Sequence, residues 1–299
     1  MSRLILRLAH HCRKQTEIKG VSMKALIDGD VLVYQLGWSA HNKEWVVKND
    51  KGDILTTEST KTACNSFIKE MSQFTQAAEG FNVELQKEWC NPLEETFEAL
   101  DKKIAWIAKR AKCTLYQLYI SGHTNFRNDI ANLQPYKGSR SSEKPDQYHD
   151  IRKYLKTKYE AKVSENEEAD DLLGIDQTED TCICTIDKDL WTVPGWHYDF
   201  RTDCLDWVNE KEAEYHLQYQ FILGDRVDNI PGINGLGKVK TKKLLEPSTN
   251  RWADIADQYR NQYGETWEKS MLEVGRLLYI RQKKDEMWEI PEACYSRVK

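Results

Sequence analysis

Acidic residues gather in this chain at the ends of apolar runs. The strand-like run 24–27 enters Asp28-Gly29-Asp30, and the run Thr181-Cys182-Ile183-Cys184-Thr185-Ile186 ends in Asp187-Lys188-Asp189. Glu168-Ala169-Asp170-Asp171 opens an apolar helix-like run, and Gly224-Asp225-Arg226-Val227-Asp228-Asn229 closes another. Carboxylates drawn from separate elements repel and resist burial unless a cation compensates them. All-oxygen donor sets favour hard divalent ions, above all Mg²⁺ or Mn²⁺. This many acids suits two ions, about 4 Å apart, the device used for in-line displacement at a phosphodiester. Helical spacing puts Glu168 and Asp171 on one face, and strand spacing does the same for Asp187 and Asp189.

The 299 residues suffice for a full core. Strand-like runs at 24–27, 115–120, 181–186, 196–200 and 205–208 alternate with helical periodicity, and 44–47 and 54–57 flank a turn and predict a hairpin. Helices are predicted from about 29 to Trp38, at 60–78, from Asn91-Pro92 to about 111, and at 145–158, 167–175, 210–223, 238–245, 251–263 and 266–282. The alternation predicts an α/β fold, a central sheet flanked by helices with acids at its strand ends. Asp30 reads as an N-cap for the first helix. The domain reading is 1–22, 23–209 and 210–299. Met23 resembles a natural start, so 1–22 is either an amphipathic first helix or an upstream extension.

No run of 18 apolar residues is present, so no membrane span is predicted. The eight cysteines show no C-x-x-C pair and read as reduced thiols of a cytoplasmic protein. A net charge of −5 argues against a generic nucleic-acid coat. Its distribution is uneven: 137–162 holds eight basic residues against four acids, and 159–189 holds eleven acids against two lysines. A basic arm beside an acidic pocket suits a polyanion held by lysines and cut by metals.

Pro231-Gly232-Ile233-Asn234-Gly235-Leu236-Gly237-Lys238 lies between two helical runs. Gly232, Gly235 and Gly237 let backbone amides approach a phosphate, and Lys238, Lys240, Lys242 and Lys243 follow on the next helix. This predicts a grip on duplex backbone without base reading.

Taken in order, Ile27-Asp28-Gly29, Tyr136-Lys137-Gly138-Ser139-Arg140, Glu168-Ala169-Asp170-Asp171, Asp187-Lys188-Asp189 and Gly224-Asp225 through Gly237 resemble the flap-endonuclease superfamily, nearest in look to phage 5′→3′ exonucleases. The resemblance spans roughly 24–245, and 275–281 is also similar to phage members. It implies a PIN-like nuclease core, a helical arch and a helix–three-turn–helix for duplex DNA. By its pattern Asp28, Glu168, Asp170, Asp171, Asp187, Asp189, Asp225 and Asp228 would hold two Mg²⁺ or Mn²⁺ ions. Lys137 and Arg140 would contact the scissile phosphate and offset transition-state charge. Lys144, Arg152 and Lys153 would lie on the arch, Lys144 and Arg127 would meet DNA, and K⁺ would sit at the glycine turn.

The implied activity is two-metal 5′→3′ exonuclease with flap-endonuclease character. It would act as a monomer on duplex DNA with 5′ ends or flaps and on RNA–DNA primers, and leave 5′-phosphate products. Phage replication in the host cytoplasm is the implied setting. A non-catalytic, structure-specific DNA binder and a PIN-type ribonuclease are the alternatives, and the glycine turn with its lysines discriminates against the second. One departure stands out. Where the family carries an Asp after its second strand, this chain has Ser121-Gly122-His123. Asp129 is the candidate to reach in from the following loop, water is the other, and an acid restored at Gly122 is expected to tighten metal binding.

Overall fold

A computed structural model describes residues 23–74, 80–140 and 143–297. The 1–22 extension, whether helix or leader, lies outside the described residues, as do 75–79 at the end of the helix expected over 60–78.

The chain opens with β1 (Met23–Asp28), α1 (Gly29–Ser39), β2 (His41–Lys48), β3 (Ile54–Glu58), α2 (Lys61–Phe74), β4 (Asn82–Cys90) and α3 (Leu93–Arg110). β5 (Cys113–Ile120), α4 (Arg127–Ile130), α5 (Tyr148–Lys158), β6 (Lys162–Val163), α6 (Ala169–Asp176) and β7 (Thr181–Thr185) follow. A 3₁₀ helix at Lys188–Thr192 leads to β8 (Gly195–Asp199), β9 (Cys204–Val208), α7 (Glu210–Leu223), α8 (Lys238–Leu245), α9 (Arg251–Tyr263) and α10 (Trp267–Leu278).

Two compact units divide this chain, and the boundary falls within α1, α3 and α5. The first holds the described parts of Met1–Val31, Ile104–Glu143 and Leu155–Lys299; the second holds Leu32–Lys103 and Lys144–Tyr154. The division runs inside the 23–209 segment rather than at residue 210. One reason is that Tyr136 shares a core with Phe221 of α7, Tyr259 of α9 and Met271 of α10.

In the first unit six strands lie in the order β6-β5-β1-β7-β8-β9, parallel except β9. β1 and β7 are central and buried along almost their whole length, as parallel strands covered on both faces must be. Their shared register, Ile27 beside Cys184, puts the ends of both strands at one edge. Asp28 and the start of the Asp187 turn therefore emerge together. α7 runs over the predicted residues, opened by a capping box between Asn209 and Glu212.

α10 stops at Leu278, short of the predicted 282. Arg127 claims the carbonyls of Leu277 (3.1 Å) and Tyr279 (2.8 Å), and the extended chain beyond delivers the Arg281 amide to Asp171 at 3.1 Å. In the second unit, β3-β2-β4 form an antiparallel sheet. The hairpin of β2 and β3 was legible, whereas β4 carries the mostly exposed sequence NVELQKEWC, in which Lys87 interrupts the alternation of Val83, Leu85 and Trp89.

Candidate active site

Asp28 ends β1 and caps α1. Its carboxylate accepts from the Val31 amide at 3.1 Å and from Thr185 Oγ1 at 2.7 Å. Thr185 Oγ1 in turn accepts from the Asp187 amide at 3.0 Å. Asp187 is not on a strand: β7 ends at Thr185, and Asp187 caps the 3₁₀ helix by accepting from the Asp189 amide at 2.9 Å. The two acids are neighbours through a cap rather than through strand alternation. Asp189 is held by Gln220 Nε2 of α7 at 2.7 Å.

Asp225 begins a tight loop. Its Oδ1 accepts the amides of Val227 (2.6 Å) and Asp228 (3.2 Å), and its backbone exchanges two hydrogen bonds with Ile230. The loop closes only because two glycines meet. Gly224 has φ +65°, and a Cβ on Gly224 or Gly232 would come within 2.4 Å of backbone atoms.

These acids act on one another. Burial, then Asp30 and Asp187, push Asp28 up to about 7. Burial with Asp28, Asp187 and Glu168 pushes Asp170 well above the carboxylate range. Burial with Asp187 and Asp225 pushes Asp189 up to about 7. Asp187 is thus common to an Asp28–Asp170 side and an Asp189–Asp225 side.

Glu168 and Asp228 form a cationic wall with the 136–140 loop. Glu168 accepts from Asn125 Nδ2 (2.8 Å), Tyr136 Oη (3.1 Å) and Lys137 Nζ. Asp228 accepts from Arg140 Nη2, shares the single Tyr136 hydroxyl proton with Glu168 (Oη at 3.0 Å), and has Lys137 Nζ at 3.8 Å. Burial still holds Asp228 above its ordinary value although Lys137 and Arg140 pull it down. Lys137 sits at φ +55°, a left-handed conformation costly for a residue with a Cβ, fastened by its amide to the Asp228 carbonyl at 2.8 Å.

Two of the predicted site residues belong elsewhere. Asp171 and Arg127 are 0% and 2% exposed and form a two-pronged ion pair at 2.6 and 2.9 Å. Asp171 also accepts the Glu168 amide at 3.0 Å as the return half of a capping box. Burial alone would raise its pKa, but Arg127 and the two amides hold it below the usual carboxylate range. The helical spacing that pairs Glu168 with Asp171 therefore builds a cap, and Asp170 is the acid that meets Asp28. Arg127 is interior and structural, so the expectation that it meets DNA is corrected.

The missing acid after the second strand is also corrected. Asp129 is exposed on α4. A Cβ at Gly122 would stand 2.1 Å from the Ser164 carbonyl oxygen, so no side chain fits at 122 without moving the backbone. The carboxylate at this strand end is Asp30, which accepts the Ser121 amide at 2.8 Å instead of capping α1. Sequence reasoning also missed Tyr136, Asn125 and Gln220. Tyr136 stood in the quoted loop beside Lys137; the other two carried no signal.

The acids fit hard divalent ions in donor chemistry, oxygen-only and under-compensated. Among the described residues no three His, Cys, Asp or Glu side chains already converge at ligand geometry. Glu168 and Asp228 are instead turned to Lys137, Arg140 and Tyr136. On α8, Lys238, Lys240 and Lys243 are exposed and Lys242 is half-buried, while Lys240 Nζ reaches the Gly235 carbonyl at 3.0 Å. Gly235 and Gly237 face open space. Lys144 belongs to the second unit, where its ammonium lies 4.6 Å from the Tyr148 ring centre.

A crystal structure of a phage T5 protein with metal ions aligns with 85% of this chain and 88% of its own at TM-score 0.50 and 16% identity. The chain shares the fold of that T5 protein. This likeness carries the fold: a PIN-like core with its parallel sheet flanked by helices. The T5 5′-exonuclease with bound zinc matches 85% of this chain and 86% of its own at 17% identity and TM-score 0.47. DNA polymerase I of Bacillus caldotenax is 28% identical over 148 residues, which is 42% of this chain and 17% of that protein. The chain thus spans under a fifth of that relative. No protein-family model matches the chain. No described helix is long and apolar enough to cross a membrane.

Proposed function

We propose that this chain is a metal-dependent 5′→3′ nuclease, exonucleolytic with flap-endonuclease character. Its substrate is duplex DNA bearing a 5′ end or flap, with RNA–DNA hybrids as a second substrate. The observation that carries the reading is that Asp28, Asp170, Asp187, Asp189 and Asp225 gather within electrostatic reach of one another near the ends of β1 and β7. Burial, and then their mutual repulsion, raises three of them, and two cations stand alongside.

Asp28, Asp170 and Asp187 would hold one ion, and Asp187, Asp189 and Asp225 the other. Bound there, divalent ions supply an activated water and stabilise the leaving 3′-oxygen. The chain's own part is to fix the phosphate. Lys137 and Arg140, now paired to Glu168 and Asp228, would bind phosphate oxygens of the substrate, and Glu168 and Asp228 would then be available as further ligands. Tyr136, held between Glu168 and Asp228, orients both. The lysines of α8 and the open glycine turn, with K⁺ as an added cation, hold the uncleaved duplex as a monomer.

The test is digestion of 5′-labelled flap, blunt duplex and single strand with Mg²⁺, Mn²⁺ or EDTA. Cleavage of flap and duplex from the 5′ end with either metal, and none in EDTA, is the expected result. Persistent metal-free cleavage, or preference for single-stranded RNA, would overturn it.

A further inference from the structure

Three carboxylates on one side of the acid cluster are held alike, each by a single oxygen. Asp187 Oδ1 accepts the Asp189 amide at 2.9 Å. Asp225 Oδ1 accepts the amides of Val227 at 2.6 Å and Asp228 at 3.2 Å. Asp189 Oδ1 accepts from Gln220 Nε2 at 2.7 Å, and the Lys188 ammonium lies 3.5 Å from the same oxygen. None of these donors bonds an Oδ2. Asp28 is held differently, with the Val31 amide on Oδ1 at 3.1 Å and the Thr185 hydroxyl on Oδ2 at 2.7 Å.

Asp187 and Asp225 are pinned by backbone amides, which a side-chain substitution leaves in place. Asp189 depends on a side chain. Gln220 reaches it from α7. An ionised carboxylate only accepts, so the carboxamide must present Nε2 to it and turn Oε1 away. That Oε1 is buried and has no hydrogen-bond partner among the described residues. An unpaired buried acceptor is a cost that an apolar side chain would not carry, so packing alone does not account for a glutamine here.

We infer that Gln220 sets the ion selectivity of the Asp187–Asp189–Asp225 side, by occupying Asp189 Oδ1 so that this carboxylate gives a divalent ion one oxygen rather than two. Mg²⁺ demands near-ideal octahedral geometry and keeps several of its waters, so it has little use for a carboxylate's second oxygen. Mn²⁺ takes the same octahedral oxygen set. Ca²⁺ takes about 6–8 oxygens and accepts both oxygens of one carboxylate. Three acids that each have one oxygen committed to the protein therefore suit the smaller ions and leave Ca²⁺ short of ligands. Gln220 acts through Asp189 and is a positioning residue. The inference rests on the nuclease reading for the presence of an ion between these acids, whereas the selectivity is read without cleavage.

The probe is Mn²⁺, whose free form is counted by electron paramagnetic resonance, bound to the full chain without DNA and displaced by Mg²⁺ or Ca²⁺. For one of the bound ions, Gln220→Met should lower the ratio of Mg²⁺ to Ca²⁺ affinity about tenfold or more, the scale for removing a partner that orients a metal ligand. Gln220→Lys restores a donor and should keep the wild-type ratio, since its charge weakens both divalent ions alike. Gln220→Leu repeats the loss if Gln220→Met does not fold. An unchanged ratio in a folded apolar variant overturns the inference, and so does an equal loss in Gln220→Lys, which would make the effect one of shape and not of the donor. Cleavage of a labelled flap by the same wild-type protein separates the two failures. A Mg²⁺-dependent nuclease whose ratio ignores position 220 loses only the role of Gln220. A chain that shows the expected ratios and cuts nothing loses the nuclease reading, and one that binds no Mn²⁺ loses both.

Discussion

Around Asp171 the carboxylate is fully provided for: two guanidinium bonds from Arg127 and the amides of Glu168 and Arg281. One residue earlier, Asp170 faces Asp28, Asp187 and Glu168, and its proton affinity rises where that of Asp171 falls. Burial acts on both; the difference is the cation. Where the fold supplies its own, a buried carboxylate becomes a fastener between α4, α6 and the end of α10. Where it does not, the acids remain at a standing electrostatic cost that a bound cation would relieve. Asp171 is thus fastened by an arginine that is itself buried, whereas the acids around Asp170 are left to repel one another.

The largest effect that could break this contrast is on catalysis. Asp187→Ala or Asp225→Ala should lower cleavage by about 10³-fold or more while duplex binding persists, since each removes an anion from the cluster and no phosphate contact. Near wild-type turnover at saturating Mg²⁺ would end the metal-site reading. On the other side of the contrast, Arg127→Met should leave Asp171 buried and unpaired and destabilise the fold by about 3–5 kcal/mol in denaturant titrations. The double change Arg127→Met with Asp171→Leu should recover much of that loss. If the single variant is as stable as wild type, the pair is not the fastener described.

Lys137→Ala should slow single-turnover cleavage by about 10²-fold with a smaller change in affinity. A loss confined to affinity would make Lys137 a tether only.

The remaining effect is on pH. Asp28 and Asp189 stand at about 7 in the fold against 3.8 as ordinary aspartates. Protons therefore bind the folded state more tightly than the unfolded one. Their stabilisation is complete below about pH 4 and lost as pH rises through about 7. In EDTA these two groups should lower thermal stability between those limits, on the order of 1–4 kcal/mol each, and Mg²⁺ should restore it above pH 7. Calorimetry in buffers of differing ionisation enthalpy should register proton release on Mg²⁺ binding near pH 7. No release would show that the acids are already ionised.

Much of this was legible along the chain. Central strands, helix α7 and the acids at element ends depend on local pattern, apolar runs and charge spacing, whereas the roles of Lys137 and Arg140 came from the family resemblance. β4 escaped because Lys87 interrupts its alternating row of Val83, Leu85 and Trp89. Asp187 and Asp189 were read as strand neighbours because nothing local shows that β7 ends at Thr185 and a cap begins.

What only tertiary structure decided is the partner of each charge. Arg127 and Asp171 lie 44 residues apart in the chain, and Asp30 and Ser121 lie 91 apart. Gly122 is bare because the carbonyl of Ser164 passes over it. Sequence by itself determined that carboxylates would gather at the ends of β1 and β7, because strand and helix ends follow from short-range pattern. Which of them would be neutralised, and which left to a metal, depended on distances between residues far apart in sequence. Electrostatic compensation acts through space, and only the folded chain sets those distances.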